Sequence, residues 1–333
     1  MLRIAILDDY ANVALESADW ARLAGAADIT VFDRHLSEDE AATALQPFDV
    51  LCTMRERMAL PRRLFEKLPN LKLVAIVGLS LPNLDLAAAT EHGVLVIQSD
   101  FRTAESNDYA SSTPEFAWGL LLATVRNIAG ENRRMREGGW QSTVGVILSG
   151  KTLGLLGLGR IGKRMAGYGR AFGMNVIAWS QNLTEEAAAT AGARYVAREA
   201  LFAEADVVSI HVQLSERTRG LVGARDLALM KRQAYLVNTS RAAIVDTAAL
   251  VEALREGRIA GAGIDVFDLE PPPADHPFRT MDNVTAVPHL GYVTRETLRV
   301  FYGAMPEAIA AFANGAPVRV ANPDALKHAK HGA

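Results

Sequence analysis

The chain has 333 residues, of which half are hydrophobic and 22% are charged, and its formal net charge is −3. This length predicts two domains with substantial cores, and the composition is typical of an ordinary soluble protein. The slightly acidic balance argues against a nucleic-acid-binding protein, whose binding face usually leaves a basic excess. No apolar run approaches the roughly 18 residues of a membrane span, so we expect no membrane partner.

Cys52 is the only cysteine, so no intramolecular disulfide is possible within this sequence. The apolar run at the start is too short for the hydrophobic region of a secretory signal, and Asp8 and Asp9 end it. We therefore expect a cytoplasmic protein.

Short apolar runs alternate with helical patterns along the first hundred residues. The sequence predicts strands at 4–7, 29–32, 50–53, 73–77 and 94–97, and helices at 11–24, 38–45, 60–68 and 84–92. This alternation predicts a parallel sheet with helices on both faces.

A polar stretch at 99–112 is typical of a crossing between domains. Thr113, Pro114 and Glu115 then predict the start of a long helix that ends near residue 127, since they supply a cap, an initial proline and an early acid. The apolar residues of this helix are compatible with either a core or a subunit interface.

A glycine-rich turn lies between two predicted strands, 152–156 and 176–179, and opens a predicted helix at 163–172. Gly157 permits the tight turn, Gly159 lets the backbone approach a pyrophosphate, and Gly162 allows close packing of helix on strand. The pyrophosphate would lie at the helix N-terminus. The position that usually carries a ribose-binding acid is Ser180, with no arginine after it, so NAD and NADP both remain open.

Further strands are predicted at 205–211, 234–238, 261–266 and 284–286, and a helix at 294–313. The predicted fold is therefore α/β, with two doubly wound parallel-sheet domains (Rossmann-like and flavodoxin-like) and a cleft between them. We expect the chain to return to its first domain near residue 294. The predicted domains are a substrate-binding domain, 1–105 plus 295–333, and a dinucleotide-binding domain, 106–294.

Three loops of the second sheet carry an arginine, a carboxylate and a histidine at its carboxyl edge. These residues are Arg241, Glu270 and His289. A histidine can deliver a proton to a carbonyl oxygen near neutral pH, a nearby carboxylate favours its charged form, and an arginine can hold a substrate carboxylate. Singly, each has an ordinary alternative: a structural histidine, a solvated turn or a helix cap.

Five segments in order resemble the signatures of the D-isomer-specific 2-hydroxyacid dehydrogenase family. They are GKTLGLLGLGRIG, DVVSIHVQLSERTRGLV, LVNTSRAAIVD, GAGIDVFDLEP and VPHLGYVT. The resemblance implies an enzyme that transfers a hydride between NAD(P)H and a small 2-oxo acid, such as glyoxylate or hydroxypyruvate, to give a D-2-hydroxy acid. We also expect a homodimer and no metal site.

The resemblance implies roles for individual residues. Arg241 would bind the substrate, with Glu270 and His289 as the acid/base pair, and Asp265 would contact the nicotinamide carboxamide. The cofactor residues implied are Gly157, Gly159, Arg160, Ile161, Gly162, Ser180, Val212, Thr239, Asp265 and Gly291. The substrate residues implied in the first domain are Arg55, Gly78, Leu79 and Ser80.

The chain departs from the family pattern at Ser180, Gln213, Ser80 and Ala242. The first departure bears on cofactor choice and the others on pocket shape. The same fold also occurs in corepressors that sense NAD, so a cofactor-sensing binding protein is the alternative function. Turnover of a 2-oxo acid would distinguish the two.

Overall fold

The computed structural model describes residues 1–78, 83–99 and 109–328. The strands, in chain order, are β1 (Leu2–Ile6), β2 (Ala27–Val31), β3 (Val50–Met54), β4 (Leu73–Val77), β5 (Leu95–Ser99), β6 (Thr152–Leu156), β7 (Asn175–Trp179), β8 (Arg194–Tyr195), β9 (Val207–Ile210), β10 (Tyr235–Asn238), β11 (Gly261–Ile264) and β12 (Val284–Ala286). The α-helices are α1 (Glu38–Ala44), α2 (Arg62–Lys67), α3 (Leu86–Glu91), α4 (Tyr109–Val125), α5 (Ile128–Arg136), α6 (Arg160–Ala171), α7 (Glu185–Thr190), α8 (Arg198–Glu204), α9 (Ala224–Leu229), α10 (Thr247–Arg255) and α11 (Arg295–Ala313).

The chain divides into two compact units, Met1–Tyr109 with Thr294–Ala333, and Ala110–Val293. The first unit contains a parallel sheet of order β2-β1-β3-β4-β5. Every residue of β3 and β4 is buried, because a parallel sheet is covered on both faces and its strands can be apolar throughout. The returning segment contributes α11, which lies beside β4 and β5.

The second unit contains a parallel sheet of order β12-β11-β10-β9-β6-β7-β8. Successive residues of β10 pack on opposite faces of the sheet, in separate hydrophobic clusters. Leu236 belongs to the cluster that contains Phe202, and Val237 belongs to the cluster that contains Leu121. The strand order reverses at β6, which pairs with β7 on one side and β9 on the other. Ligands of such sheets bind beyond the carboxyl ends of the strands at this reversal. The predicted α/β class with two parallel sheets is confirmed.

The helix predicted at 11–24 is wrong. Asn12 is left-handed with φ +53°, and Asp9 Oδ2 accepts a hydrogen bond from Ala14 N at 2.8 Å. These local polar contacts compete with helix formation, so only a short 3₁₀ turn, Trp20–Leu23, forms in this stretch.

The start predicted for the long helix is also wrong. The helix α4 already includes Tyr109, so Thr113 is not its cap and Pro114 lies inside it. Trp118, Leu120 and Leu121 are buried within the second unit, so a core accounts for these three apolar residues. Four short elements were not predicted from the sequence: α5, α7, α8 and β8.

Candidate active site

The glycine turn connects β6 to α6 and requires glycine at two positions. Gly157 has φ +104°, and a Cβ there would lie 2.7 Å from the carbonyl carbon of His211. A Cβ on Gly162 would lie 2.1 Å from the Gly157 carbonyl oxygen. Both positions therefore exclude any side chain, as predicted from the spacing.

Gly159 differs from its two neighbours in the motif. No described heavy atom lies within 4 Å of the position a Cβ would occupy, and Gly159 precedes α6 without a side-chain cap bond. The first N–H groups of this twelve-residue helix, and the positive end of its dipole, therefore lie beside open space. Arg160 is exposed and Ile161 is partly buried at its first turn. This cradle fits the diphosphate of a dinucleotide.

Thr239 gives a second indication that the carboxyl edge of this sheet fits a cofactor. Its side chain is buried, and its Oγ1 has no hydrogen-bond partner among the described residues. An orphaned buried hydroxyl in a folded protein is unusual and indicates a missing partner. Thr239 follows β10 and Val212 follows β9, so both lie at the carboxyl edge of the sheet.

Ser180 follows β7, where a ribose-binding acid is usual. Its carbonyl accepts a hydrogen bond from Leu183 N at 3.0 Å, and Gln181 and Asn182 are exposed. No carboxylate ends this strand to repel a 2′-phosphate, and no arginine follows to bind one. Both NAD and NADP are compatible with this strand end.

His289 and Glu270 form a close pair. Nδ1 of His289 lies 2.6 Å from Oε2 of Glu270, and Oε1 of Glu270 accepts from Phe267 N at 2.9 Å. The side chains are only 17% and 28% exposed. With Nδ1–H donating to the carboxylate, Nε2 is the ring atom left to exchange a proton with a substrate.

Asp265 supports the turn that carries His289. The residue follows β11 and is fully buried, and its carboxylate oxygens accept from Leu290 N at 2.6 Å and Gly291 N at 3.0 Å. His289 itself is left-handed, with φ +52°, a conformation that a non-glycine residue adopts at a cost. Burial raises the pKa of Asp265 to about 6, although the Leu290 amide acts in the opposite direction.

A second histidine of this edge is unsuited to acid/base work. Nε2 of His211 lies 2.8 Å from Ser209 Oγ, and burial lowers the pKa of His211 to about 3. Its imidazole is therefore neutral throughout the physiological range. The contact with Glu270 distinguishes His289 from it.

Arg241 lies on the loop after β10, next to the strand that leads to Asp265 and Glu270. Its Nη1 donates to the Ser240 carbonyl at 2.7 Å. The sequence reading missed Asn238, whose side chain contacts this loop, and Ser112, whose Oγ donates to the Gly291 carbonyl at 2.9 Å. Asn238 could have been predicted as a supporting residue of this loop, since an asparagine side chain often forms a hydrogen bond with the backbone two residues further along the chain.

The residues predicted in the first unit are partly described. Arg55 follows β3 with φ +54°, and its guanidinium carbon lies 6.0 Å from the centre of the Phe301 ring. Gly78 follows β4 with φ +134°, and its carbonyl accepts from Gln98 Nε2 at 3.2 Å. Leu79 and Ser80 lie outside the described residues.

Two further findings concern the described part of the chain alone. Its His, Cys, Asp and Glu side chains form no group of three or more arranged to hold a metal ion. Its helices include none that is long and apolar enough to cross a membrane.

Comparison with known proteins gives consistent matches. The sequence profile described as the NAD binding domain of D-isomer specific 2-hydroxyacid dehydrogenases matches residues 118–291. A glyoxylate reductase of Aeropyrum pernix is 40% identical over 274 residues, which cover 79% of this chain and 80% of that protein. A hydroxypyruvate reductase of Thermotoga maritima is 35% identical, covering 87% of this chain and 93% of that protein. The crystal structure of a phosphoglycerate oxidoreductase from Vibrio cholerae superposes with a TM-score of 0.86 at 34% identity, covering 95% of this chain and 100% of that one.

Proposed function

We propose that this chain, a member of the D-isomer-specific 2-hydroxyacid dehydrogenase family, reduces glyoxylate, hydroxypyruvate or a similarly small 2-oxo acid. Family membership, as the sequence motifs predicted, makes the chain an NAD(P)-dependent oxidoreductase of 2-oxo and 2-hydroxy acids. The observation that carries the catalytic assignment is the 2.6 Å contact between His289 and Glu270. Relatives named for glyoxylate and hydroxypyruvate support a small substrate.

His289 is the proton donor in this proposal. When bound, the nicotinamide supplies a hydride to the carbonyl carbon of the substrate. His289 gives the proton at Nε2 to the carbonyl oxygen, and it takes that proton back in the reverse direction. Glu270 accepts the hydrogen bond from Nδ1 and so fixes the orientation of the ring, with Nε2 left for the transfer.

Arg241 binds the substrate carboxylate and polarises the carbonyl. Its planar fork can donate two parallel hydrogen bonds to a carboxylate, which a lysine cannot do. We also propose Arg55, Gly78, Leu79 and Ser80 of the first unit as substrate-binding residues. We also propose that 1–105 with 295–333 is the substrate-binding domain and that 106–294, which includes Arg241, is the dinucleotide-binding domain.

The cofactor would be held mainly by the glycine turn and the neighbouring strand ends. Its diphosphate would lie against Gly157, Gly159 and Gly162 at the start of α6, next to Arg160 and Ile161. The remaining contacts proposed are Ser180, Val212, Thr239, Asp265 and Gly291. The open space at Gly159 and the orphaned hydroxyl of Thr239 support this assignment.

The direct test is a panel of 2-oxo acids. We expect the purified protein to oxidise NADH or NADPH when glyoxylate or hydroxypyruvate is present. The reaction is monitored by the loss of absorbance of the reduced nicotinamide. Each acid is tested with each cofactor, with pyruvate as a third substrate. Tight cofactor binding without turnover of any 2-oxo acid would contradict the proposal and favour the cofactor-sensing protein.

We also propose that the protein is a homodimer. The segment between α5 and β6 exposes three large apolar side chains: Trp140 is 71% exposed, Val144 97% and Ile147 77%. Three exposed large apolar side chains on one segment support an interaction surface there. Sedimentation velocity should give a mass twice the 35.9 kDa of one chain. The double variant V144D/I147D should sediment with the mass of a single chain. A parental protein that sediments as a single chain would exclude the dimer.

A cytoplasmic location is part of the proposal. Cys52 is buried and unpaired as a thiol, and burial raises its pKa. A reducing compartment suits such a thiol, and cell fractionation would test the location.

A further inference from the structure

The side chain of Asn238 connects two residues of the loop that carries Arg241. Asn238 ends β10 and is only 2% exposed. Its Oδ1 accepts from Ser240 N at 3.0 Å, and its Nδ2 donates to the Arg241 carbonyl at 3.0 Å. A side-chain amide can accept and donate at once, whereas an ionised aspartate of the same shape has no donor.

Two further hydrogen bonds tie the same loop to its surroundings. Ser240 Oγ donates to the Val212 carbonyl at 2.6 Å, and Arg241 Nη1 donates to the Ser240 carbonyl at 2.7 Å. Val212 in turn borders the glycine turn, since a Cβ on Gly157 would lie 2.8 Å from Val212 N. The Arg241 backbone and guanidinium are therefore both held by this clamp, which consists of Asn238, Ser240 and the Val212 carbonyl.

We propose that Asn238 is a positioning residue that orients Arg241 toward the substrate carboxylate, with Ser240 as its second support. The inference rests on the proposed role of Arg241 in substrate binding. A long side chain binds a carboxylate well only if its conformation is fixed in advance, and small misplacements at an active site are costly. The clamp supplies that fixation through groups that do not touch the substrate.

The test is the isosteric variant N238D. At about pH 8, kcat/KM for glyoxylate should fall by about 10–100-fold, as for other supporting residues of a site, with most of the loss in KM. The dissociation constant of NADH or NADPH should stay within about twofold, because only the arginine loop loses a hydrogen bond.

The pH profile separates positioning from general structural damage. A protonated aspartic acid regains an O–H donor for the Arg241 carbonyl, and burial favours that neutral form. The ratio of variant to parental kcat/KM should therefore rise as the pH is lowered from about 8 to about 5.5. Taking the ratio cancels the titration of groups that both proteins share.

N283D is the matched control in the same unit. Asn283 Nδ2 also donates to a backbone carbonyl, that of Leu254 at 3.0 Å, but it precedes β12 at the opposite edge of the sheet. N283D should retain parental kinetics. Parental kinetics in N238D at every pH, or an equal loss in N283D, would overturn the inference.

Two remaining outcomes are also decisive. If N238D does not fold, S240A replaces it and should raise KM for glyoxylate, whereas an unchanged KM would overturn the inference. If the parent reduces no 2-oxo acid, the proposed function fails. Binding of oxamate, an unreactive 2-oxo acid analogue, to parent and N238D then decides the inference, and equal affinity would overturn it.

Discussion

Replacing His289 with alanine is expected to lower kcat/KM for the 2-oxo acid by about 10²–10⁴-fold. The variant loses the imidazole that delivers the proton, while the glycine turn and Thr239 are untouched. Affinity for NADH or NADPH should therefore stay near the parental value. Steady-state kinetics and a cofactor-binding titration on the same preparation measure both effects.

His276→Ala is the control for this substitution. His276 lies beside the same loop, since its ring centre is 5.5 Å from that of Phe267. Its Nδ1 accepts from Phe278 N, whereas Nδ1 of His289 contacts the Glu270 carboxylate. Activity should remain within a few-fold of the parent. Parental activity in the His289 variant, or an equal loss in both, would refute the acid/base assignment.

Replacing Gly159 with alanine is expected to weaken NADH or NADPH binding by about 10–100-fold, because a methyl group would occupy space required by the diphosphate. The fold itself should tolerate the change. The Cβ position has no described neighbour within 4 Å, and the backbone is not left-handed. A cofactor titration and a thermal melt separate the two effects.

Gly167 in the middle of α6 provides the matched control. A Cβ there also meets no described atom within 4 Å, but Gly167 lies two turns beyond the cradle. Gly167→Ala should leave cofactor affinity unchanged and stabilise the helix slightly. Undiminished cofactor affinity in the Gly159 variant would exclude the proposed diphosphate site.

The sequence predicted the framework well because each buried strand is a short apolar run that ends in polar residues. The run TLGLL followed by three spaced glycines predicted the cradle, and the residues after three later runs included Arg241, Glu270 and His289. Parallel strands bring their carboxyl ends to one edge, so residues far apart in sequence could be grouped without coordinates.

The supporting contacts could not be predicted in the same way. Asp265 bonds amides 25 and 26 residues away, and no local pattern encodes such a distance. The left-handed backbone of His289 likewise follows from tertiary contacts and not from residue type. At 11–24, the hydrogen bond between Asp9 and Ala14 N outweighs the helical propensity of the segment, and the residue types of the segment do not predict this bond.

The raised pKa of Asp265 links the stability of the fold to the support of the turn that carries His289. Because the folded pKa of Asp265 lies near 6, above its usual 3.8, its contribution to stability is fully present below 3.8 and is lost as the pH rises from there through about 6. Protonation also turns one of its oxygens into a hydroxyl, a poorer acceptor for the amides of Leu290 and Gly291. Acidification would thus favour the folded state at Asp265 while it weakens the two hydrogen bonds that hold the turn before and after the imidazole.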